Sequence, residues 1–179
     1  MRIKNYIPTY VYPSIYDIDY KSLKQMGKKL CVFDVDNTLV PYEVKQMTPA
    51  LMSFLDTLKA DGWDLMILSN NTAHRVSHFL NGYPMAFISR SLKPLTVGMR
   101  RLLKQLPYSK DEIIMIGDQM KTDISCAHKM GIDSILVKSL NRNGEHWYTK
   151  ILRANENKII KGIQEIDKSK GDAMNELYR

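Results

Sequence analysis

The sequence predicts an α/β fold: a parallel sheet of about five strands with helices on both faces. Three observations carry this. From Lys29 onward, short apolar runs of about six residues alternate with helical patterns. Proline, asparagine, threonine and glycine punctuate the joins. Several of the apolar runs end in an acid or a serine, as expected where working residues gather beyond the carboxyl ends of parallel strands.

The elements follow in order. Tyr6, Tyr10, Tyr12, Tyr16 and Tyr20 crowd residues 1–20, and Pro8 and Pro13 exclude a helix before residue 14. A short helix is expected over 15–26, stopped at Gly27. KLCVFDVD (29–36) predicts a buried strand ending in acids. Thr48 and Pro49 make an N-cap and first helical residue for a helix to Ala60. DLMILS (64–69) is the next strand. Asn71 caps a predicted helix through Leu80, and AFIS (86–89) is a short strand. Pro94 opens a helix to Gln105, and EIIMIGD (112–118) is a strand. TDISCAHKM (122–130) is a helix ended by Gly131, DSILVK (133–138) a strand, and 145–162 a last helix. The chain thus divides into a Tyr/Pro-rich basic segment packed on the core (1–28), an α/β domain (29–162) and a polar tail (163–179) that frays from Asp167. With helices above and below the sheet, the architecture is three-layered and Rossmann-like.

Composition narrows the class. At 179 residues with 44% hydrophobic and 25% charged residues, the chain suits one domain with its own core. It contains no apolar run of membrane-spanning length, and its first residues lack an apolar stretch with a small-residue cleavage site. A cytoplasmic location is therefore expected. Cys31 and Cys126 sit among apolar residues and form no disulfide framework. The net charge of +7 divides into +4 over residues 1–29, zero over 30–137 and +3 over 138–179. Basic ends favour an anionic partner or act as solvated faces.

The chemistry lies where strands stop. Asp34 and Asp36 face the same way in a regular strand. A like-charge pair at 4 Å costs about 1 kcal/mol in water and about 4 kcal/mol near a protein surface. A divalent cation with oxygen ligands would compensate them, and Asp118 ends another strand in the same manner. Asn37 and Thr38 suit a tight loop whose N–H groups meet an anion. Ser69, Asn70 and Asn71 stand at a helix mouth, and Lys93 offers a compact positive charge to phosphate or to the nucleophile.

The strings F-D-V-D-N-T-L (33–39), I-L-S-N-N (67–71), S-L-K-P (91–94) and I-G-D-Q-M-K-T-D (116–123) resemble, in order, the four motifs of the haloacid-dehalogenase superfamily of phosphatases. The resemblance implies Asp34 as nucleophile and Asp36 as general acid and base. It implies Mg2+ held by Asp34, the Asp36 carbonyl and Asp118. Phosphate would be bound by Asn37, Thr38, Ser69, Asn70 and Lys93, and Asp123 would stand at or just behind the metal. Only 30 residues separate Thr38 from Ser69, too few for a cap domain, so a capless site is expected.

With Y-I-P-T-Y-V-Y-P-S-I (6–15), D-V-D-N-T-L-V-P-Y (34–42) and S-R-S-L-K-P (89–94), the chain more specifically resembles the bacterial YqeG-like group of subfamily IIIA, related to phosphatidylglycerophosphate phosphatases. That implies a phosphorylated lipid headgroup as substrate and weak peripheral association with the inner face of the membrane. A soluble phosphatase on a small metabolite or nucleotide shares every catalytic residue. A non-catalytic nucleic-acid-binding module on the same fold is the remaining alternative, though no specific nucleic-acid motif is present.

Overall fold

The computed structural model describes residues 2–141 and 155–177. A six-stranded, all-parallel sheet has the order β1-β6-β5-β2-β3-β4. Its strands are β1 (Tyr10–Tyr12), β2 (Leu30–Phe33), β3 (Asp64–Leu68), β4 (Ala86–Ile88), β5 (Ile113–Gly117) and β6 (Asp133–Val137). The helices are α1 (Tyr20–Gln25), α2 (Pro49–Ala60), α3 (Ala73–Leu80), α4 (Val97–Gln105), α5 (Ser125–Met130), α6 (Glu156–Ile166) and α7 (Lys168–Leu177).

The central strands β2 and β5 are buried along their whole length, and that is why their sequences are apolar runs rather than alternating ones. Alternate residues feed two cores. Cys31, Phe33, Ile67 and Ile116 pack with α2 and α3, while Leu30, Val32, Met66 and Met115 pack with α4 and α5.

The sixth strand comes from the N-terminal segment, which the sequence reading kept outside the sheet. Tyr10–Tyr12 pair with Ile135–Val137. Thr9 Oγ1 donates to Asp133 Oδ1 at 3.0 Å and accepts from the Ser134 N–H at 3.0 Å, setting the register. Tyr16 and Tyr20 pack edge-on against Phe54, and Tyr20 against Trp63. Tyr20 thereby joins the core, while Tyr16 stays largely exposed.

Other boundaries shift for local reasons. The helix expected over 15–26 is confined to Tyr20–Gln25 because the Asp19 carboxylate caps it through the Ser22 N–H. Thr72, not Asn71, caps α3 by accepting from the Arg75 N–H. Helix α4 starts at Val97, three residues later than expected, after a turn closed by Leu95 N–H to the Leu92 carbonyl at 2.7 Å. The polar tail is helical: α7 packs on α6 and buries Met174 and Leu177. The helix predicted over 145–162 falls partly outside the described residues. Its described part, within α6, turns Ile159, Ile160 and Ile163 onto Met120, Ile124 and Leu136. Among the described residues no helix is long and apolar enough to cross a membrane.

Candidate active site

Every carboxylate of interest lies at the carboxyl edge of the sheet. Asp34 follows β2 directly, and its own N–H donates to the Ile116 carbonyl of β5 at 2.9 Å, so the sheet ladder fixes its backbone. The chain then turns sharply. Asn37 adopts a left-handed conformation (φ 63°), which asparagine tolerates better than most residues. Its N–H reaches the Val40 carbonyl at 2.7 Å. Its side-chain oxygen accepts from the Tyr42 and Asn141 N–H groups at 3.2 and 3.3 Å, so Asn37 ties two loops together. The Thr38 hydroxyl donates to Asp118 Oδ1 at 3.3 Å and joins the β2 and β5 loops.

Strand β5 delivers Asp118, fully buried, and runs into a π-helical stretch, Met120–Ile124. Wide turns of this kind often mark functional positions. Here the turn brings Asp123 back over the strand end, where Oδ2 accepts from the Gln119 N–H at 3.2 Å. A Cβ on Gly117 would lie 2.5 Å from the Asp123 side chain, so only glycine permits this approach. The carboxylate oxygens of Asp34, Asp118 and Asp123 fall within 4.8 Å of one another.

The other wall comes from β3, β4 and the helices after them. Lys93 is 5% exposed. Its Nζ lies 2.7 Å from Asp34 Oδ1 and from Asp123 Oδ1, and donates to the Leu68 carbonyl at 2.6 Å. Asn70 holds this lysine in place. Its Oδ1 accepts from the Lys93 N–H at 2.7 Å and the Ser91 hydroxyl at 2.8 Å, while its Nδ2 donates to the Lys93 carbonyl at 2.9 Å. Buried Ser69 accepts from the Asn71 N–H through Oγ at 3.1 Å. Arg90 (φ 45°) and Leu92 (φ 61°) both carry left-handed backbone, which is uncommon outside glycine and here precedes Lys93. Asp36 stands apart from the three-acid cluster. Arg75 Nη2 donates to its Oδ1 at 2.9 Å, and the Asn71 amide donates to its Oδ2. The same arginine reaches the Tyr42, Val44 and Lys45 carbonyls and so fastens the 42–45 loop against the site.

The electrostatics call for a cation. Three carboxylates and one ammonium leave two formal negative charges in a buried space. Burial pushes the Asp34 carboxyl well above the ordinary range. Lys93 pulls the other way, but Asp123, Asp118 and Asp36 add to the rise. Burial works against charge on Lys93 too, yet Asp123 and Asp34 outweigh it and raise its pKa, so it stays an ammonium. Asp123 Oδ1 is buried and, beyond its contact with that ammonium, accepts no hydrogen bond of good angle. A small divalent ion taking oxygen ligands fits this set, because it would balance the charge and take the under-bonded Asp123 oxygen.

Arg75 and Gly117 carry more of this geometry than their sequence context suggested. Arg75 sits in the first turn of a helix opening at the carboxyl edge, four residues after Asn71, and that placement was its one signal. His74 and His78 stack on each other at the surface, 6.3 Å between ring centres, and among the described residues take no part in a metal-ligating cluster.

With the geometry established, comparison with known proteins gives consistent likenesses. The HAD-hydrolase-like family model matches residues 92–165. A "probable phosphatase YqeG" from Bacillus subtilis is 28% identical over 161 residues, covering 90% of this chain and 93% of that protein. A chloroplastic phosphatidylglycerophosphate phosphatase 1 from Chlamydomonas reinhardtii is 27% identical over 152 residues. That match spans 78% of this chain but only 55% of the algal protein. A solved haloacid-dehalogenase-like hydrolase from Bacteroides fragilis superposes with a TM-score of 0.53 at 16% identity, over 65% of this chain and 90% of that one.

Proposed function

We propose, on its likeness to the haloacid-dehalogenase-like hydrolases and to the Bacillus subtilis probable phosphatase, that this chain is a phosphatase of that kind, cleaving the phosphomonoester of phosphatidylglycerophosphate. The observation that carries the reading is the buried cluster of Asp34, Asp118 and Asp123 around the Lys93 ammonium. Mg2+ would be held by Asp34, Asp118 and the Asp36 carbonyl, with Asp123 beside them, and supplies positive charge against the phosphoryl oxygens.

The chain's own residues account for the rest. A carboxylate oxygen of Asp34 attacks phosphorus while the bond to the leaving oxygen breaks, giving an aspartyl-phosphate. Lys93 draws the phosphoryl oxygens toward that carboxylate and offsets their charge. Asp36, held by Arg75 and Asn71, gives a proton to the departing alkoxide. It then takes a proton from water, whose oxygen attacks phosphorus and releases phosphate and Asp34. The Ser69 and Thr38 hydroxyls would line the place where the phosphoryl group lies, while the N–H groups of residues 37–40 are spent on the Val35 and Val40 carbonyls.

Support for a lipid substrate is of two kinds. Only a loop and α2 lie between β2 and β3, and only α3 between β3 and β4, so no cap domain is inserted at either point. An edge without an inserted cap suits a phosphate presented by a large body or surface. The second support is the likeness to the algal phosphatidylglycerophosphate phosphatase. Peripheral association with the inner face of the membrane belongs to the same reading.

The test is a screen of phosphomonoesters with Mg2+. Short-chain phosphatidylglycerophosphate should turn over faster than soluble sugar phosphates or nucleotides, and Asp34→Asn should abolish both. Faster hydrolysis of the soluble esters would replace the lipid assignment with a metabolite phosphatase. Unchanged ligand binding and no turnover in the native protein would point to a binding module.

A further inference from the structure

The lipid reading leaves open which surface meets the bilayer; Tyr10, Tyr12 and Tyr20 and the α6 stripe pack on the protein's own core, and Tyr16, though exposed, stands alone against Phe54. We propose that the β4–α4 loop and the first turn of α4, residues 90–101, form a docking ridge that seats the protein on an anionic phospholipid surface beside the acid cluster. This rests on the assignment of a lipid monoester as substrate.

Three observations converge on this ridge. Leu92, Leu95 and Val97 are 51, 57 and 40% exposed, so three large aliphatic side chains project from six consecutive residues. Singly exposed apolar residues are ordinary, whereas a group of them rimmed by charge marks an interaction surface. Secondly, the exposed charge that this stretch itself contributes has one sign. Residues 65–110 contain no Asp or Glu, while Arg90, Arg100, Arg101 and Lys104 are all exposed. Thirdly, the ridge adjoins the chemistry. Lys93, between Leu92 and Leu95, holds Asp34 at 2.7 Å. Across the β2 loop, exposed Leu140 donates its N–H to the Asn37 carbonyl at 3.1 Å, and exposed Lys138 precedes it. That second side is mixed, because the neighbouring Asn141 amide donates to exposed Glu43 at 2.8 Å, so the ridge itself carries the basic charge.

The chemistry favours a bilayer over a nucleic acid. Single-stranded nucleic acid is gripped by aromatic faces on which bases stack. This ridge offers aliphatic side chains, which suit the boundary between headgroups and acyl chains, with guanidinium groups beside them to meet lipid phosphates. A protein seated this way presents the carboxyl edge of its sheet to the membrane, so a headgroup phosphate reaches Asp34 without the lipid leaving the bilayer.

The experiment is co-sedimentation of the full chain with vesicles of phosphatidylcholine containing phosphatidylglycerol, against phosphatidylcholine alone. The wild type should bind the anionic vesicles and release with salt. Leu95→Ser with Val97→Ser should weaken binding about tenfold or more. Arg100→Gln and Arg101→Gln should each weaken it about fivefold and flatten the salt dependence. Ile166→Ser, at an equally exposed apolar residue at the opposite edge of the sheet, should leave it unchanged. In a separate gain-of-signal test, a polarity-sensitive dye on Leu95→Cys should shift to the blue with anionic vesicles, and one on Ile166→Cys should not.

No binding by the wild type, normal binding by a folded Leu95→Ser/Val97→Ser protein, or an equal loss in Ile166→Ser overturns the ridge. If the lipid ester dispersed in detergent is still hydrolysed in such a case, the substrate assignment survives alone. If vesicles bind through the ridge but no lipid ester turns over, the docking stands and the substrate assignment fails.

Discussion

Two regions of this sheet meet at the site with opposite chemistry. The loops after β2 and β5 bring four acids: Asp34, Asp36, Asp118 and Asp123. The stretch from Leu65 through α4 brings none, and from it Lys93 and Arg75 cross over to pair with those acids. The difference teaches that neither region makes a site alone. The acids repel one another without the cations, and the cations have no reason to be buried without the acids.

The comparison can be broken from either side. The largest effect is expected from Asp34→Asn, which removes the attacking oxygen while leaving the shape. Turnover should fall by at least about 1,000-fold, measured as steady-state rate on any accepted monoester. Lys93→Met is next. It leaves the acids buried around an apolar chain, and should cost about 3 kcal/mol or more in chemical denaturation without metal. The cost should be larger at pH 8 than at pH 5, where protonation relieves the acids. Gly117→Ala pushes a methyl into the Asp123 carboxylate. We expect a loss of about 1–3 kcal/mol in stability and weaker Mg2+ binding by calorimetry.

Arg75→Gln sharpens the comparison, because it separates acid–base work from binding. The value of kcat/KM should fall about tenfold or more on alkyl monoesters, whose leaving group needs a proton. It should fall far less on p-nitrophenyl phosphate, whose leaving group does not. Equal losses on both would give Arg75 a merely structural part.

The smallest effect is on pH dependence. The folded Asp34 carboxyl is raised above its unfolded value, chiefly by burial. Its contribution to stability is therefore complete below the ordinary carboxylate range and is lost as pH rises through the raised value. Lys93 stays charged throughout that window. In EDTA, Tm should decline with pH from about pH 4 upward. Saturating Mg2+ should flatten or reverse the trend, since it binds the folded, ionised cluster. A Tm insensitive to both pH and Mg2+ would break this account.

Much of this was legible in the sequence because buried parallel strands write themselves as apolar runs that stop at functional residues. FDVDN, ILSN and IIMIGD each placed a strand and its terminal acid or serine together. The rest depended on contacts that sequence spacing does not encode. The pairing of Arg75 with Asp36 joins residues 39 apart. Asn70 was expected to meet phosphate, yet its side chain spends its donors and acceptors on Ser91 and Lys93. The π turn that returns Asp123 to the cluster differs from an ordinary helix by one residue of register, below the resolution of periodicity. The charge asymmetry was visible but averaged away: residues 30–137 sum to zero while their middle 46 residues hold no acid.

The edge strand has one further consequence, for the order in which the molecule forms. Ile3, Tyr6, Ile7 and Val11 pack on Ile159, Ile160, Ile163 and Met174, and Ile3 lies against Gly162. These partners are about 160 positions apart along the chain, among the longest loops it can close. During synthesis this tyrosine-rich segment must therefore wait for β6, whose Ser134 lies 125 positions beyond Thr9, and for α6 later still. Its docking is expected to be the late event of folding, and in that interval the open side of β6 is where a second nascent copy could add a strand.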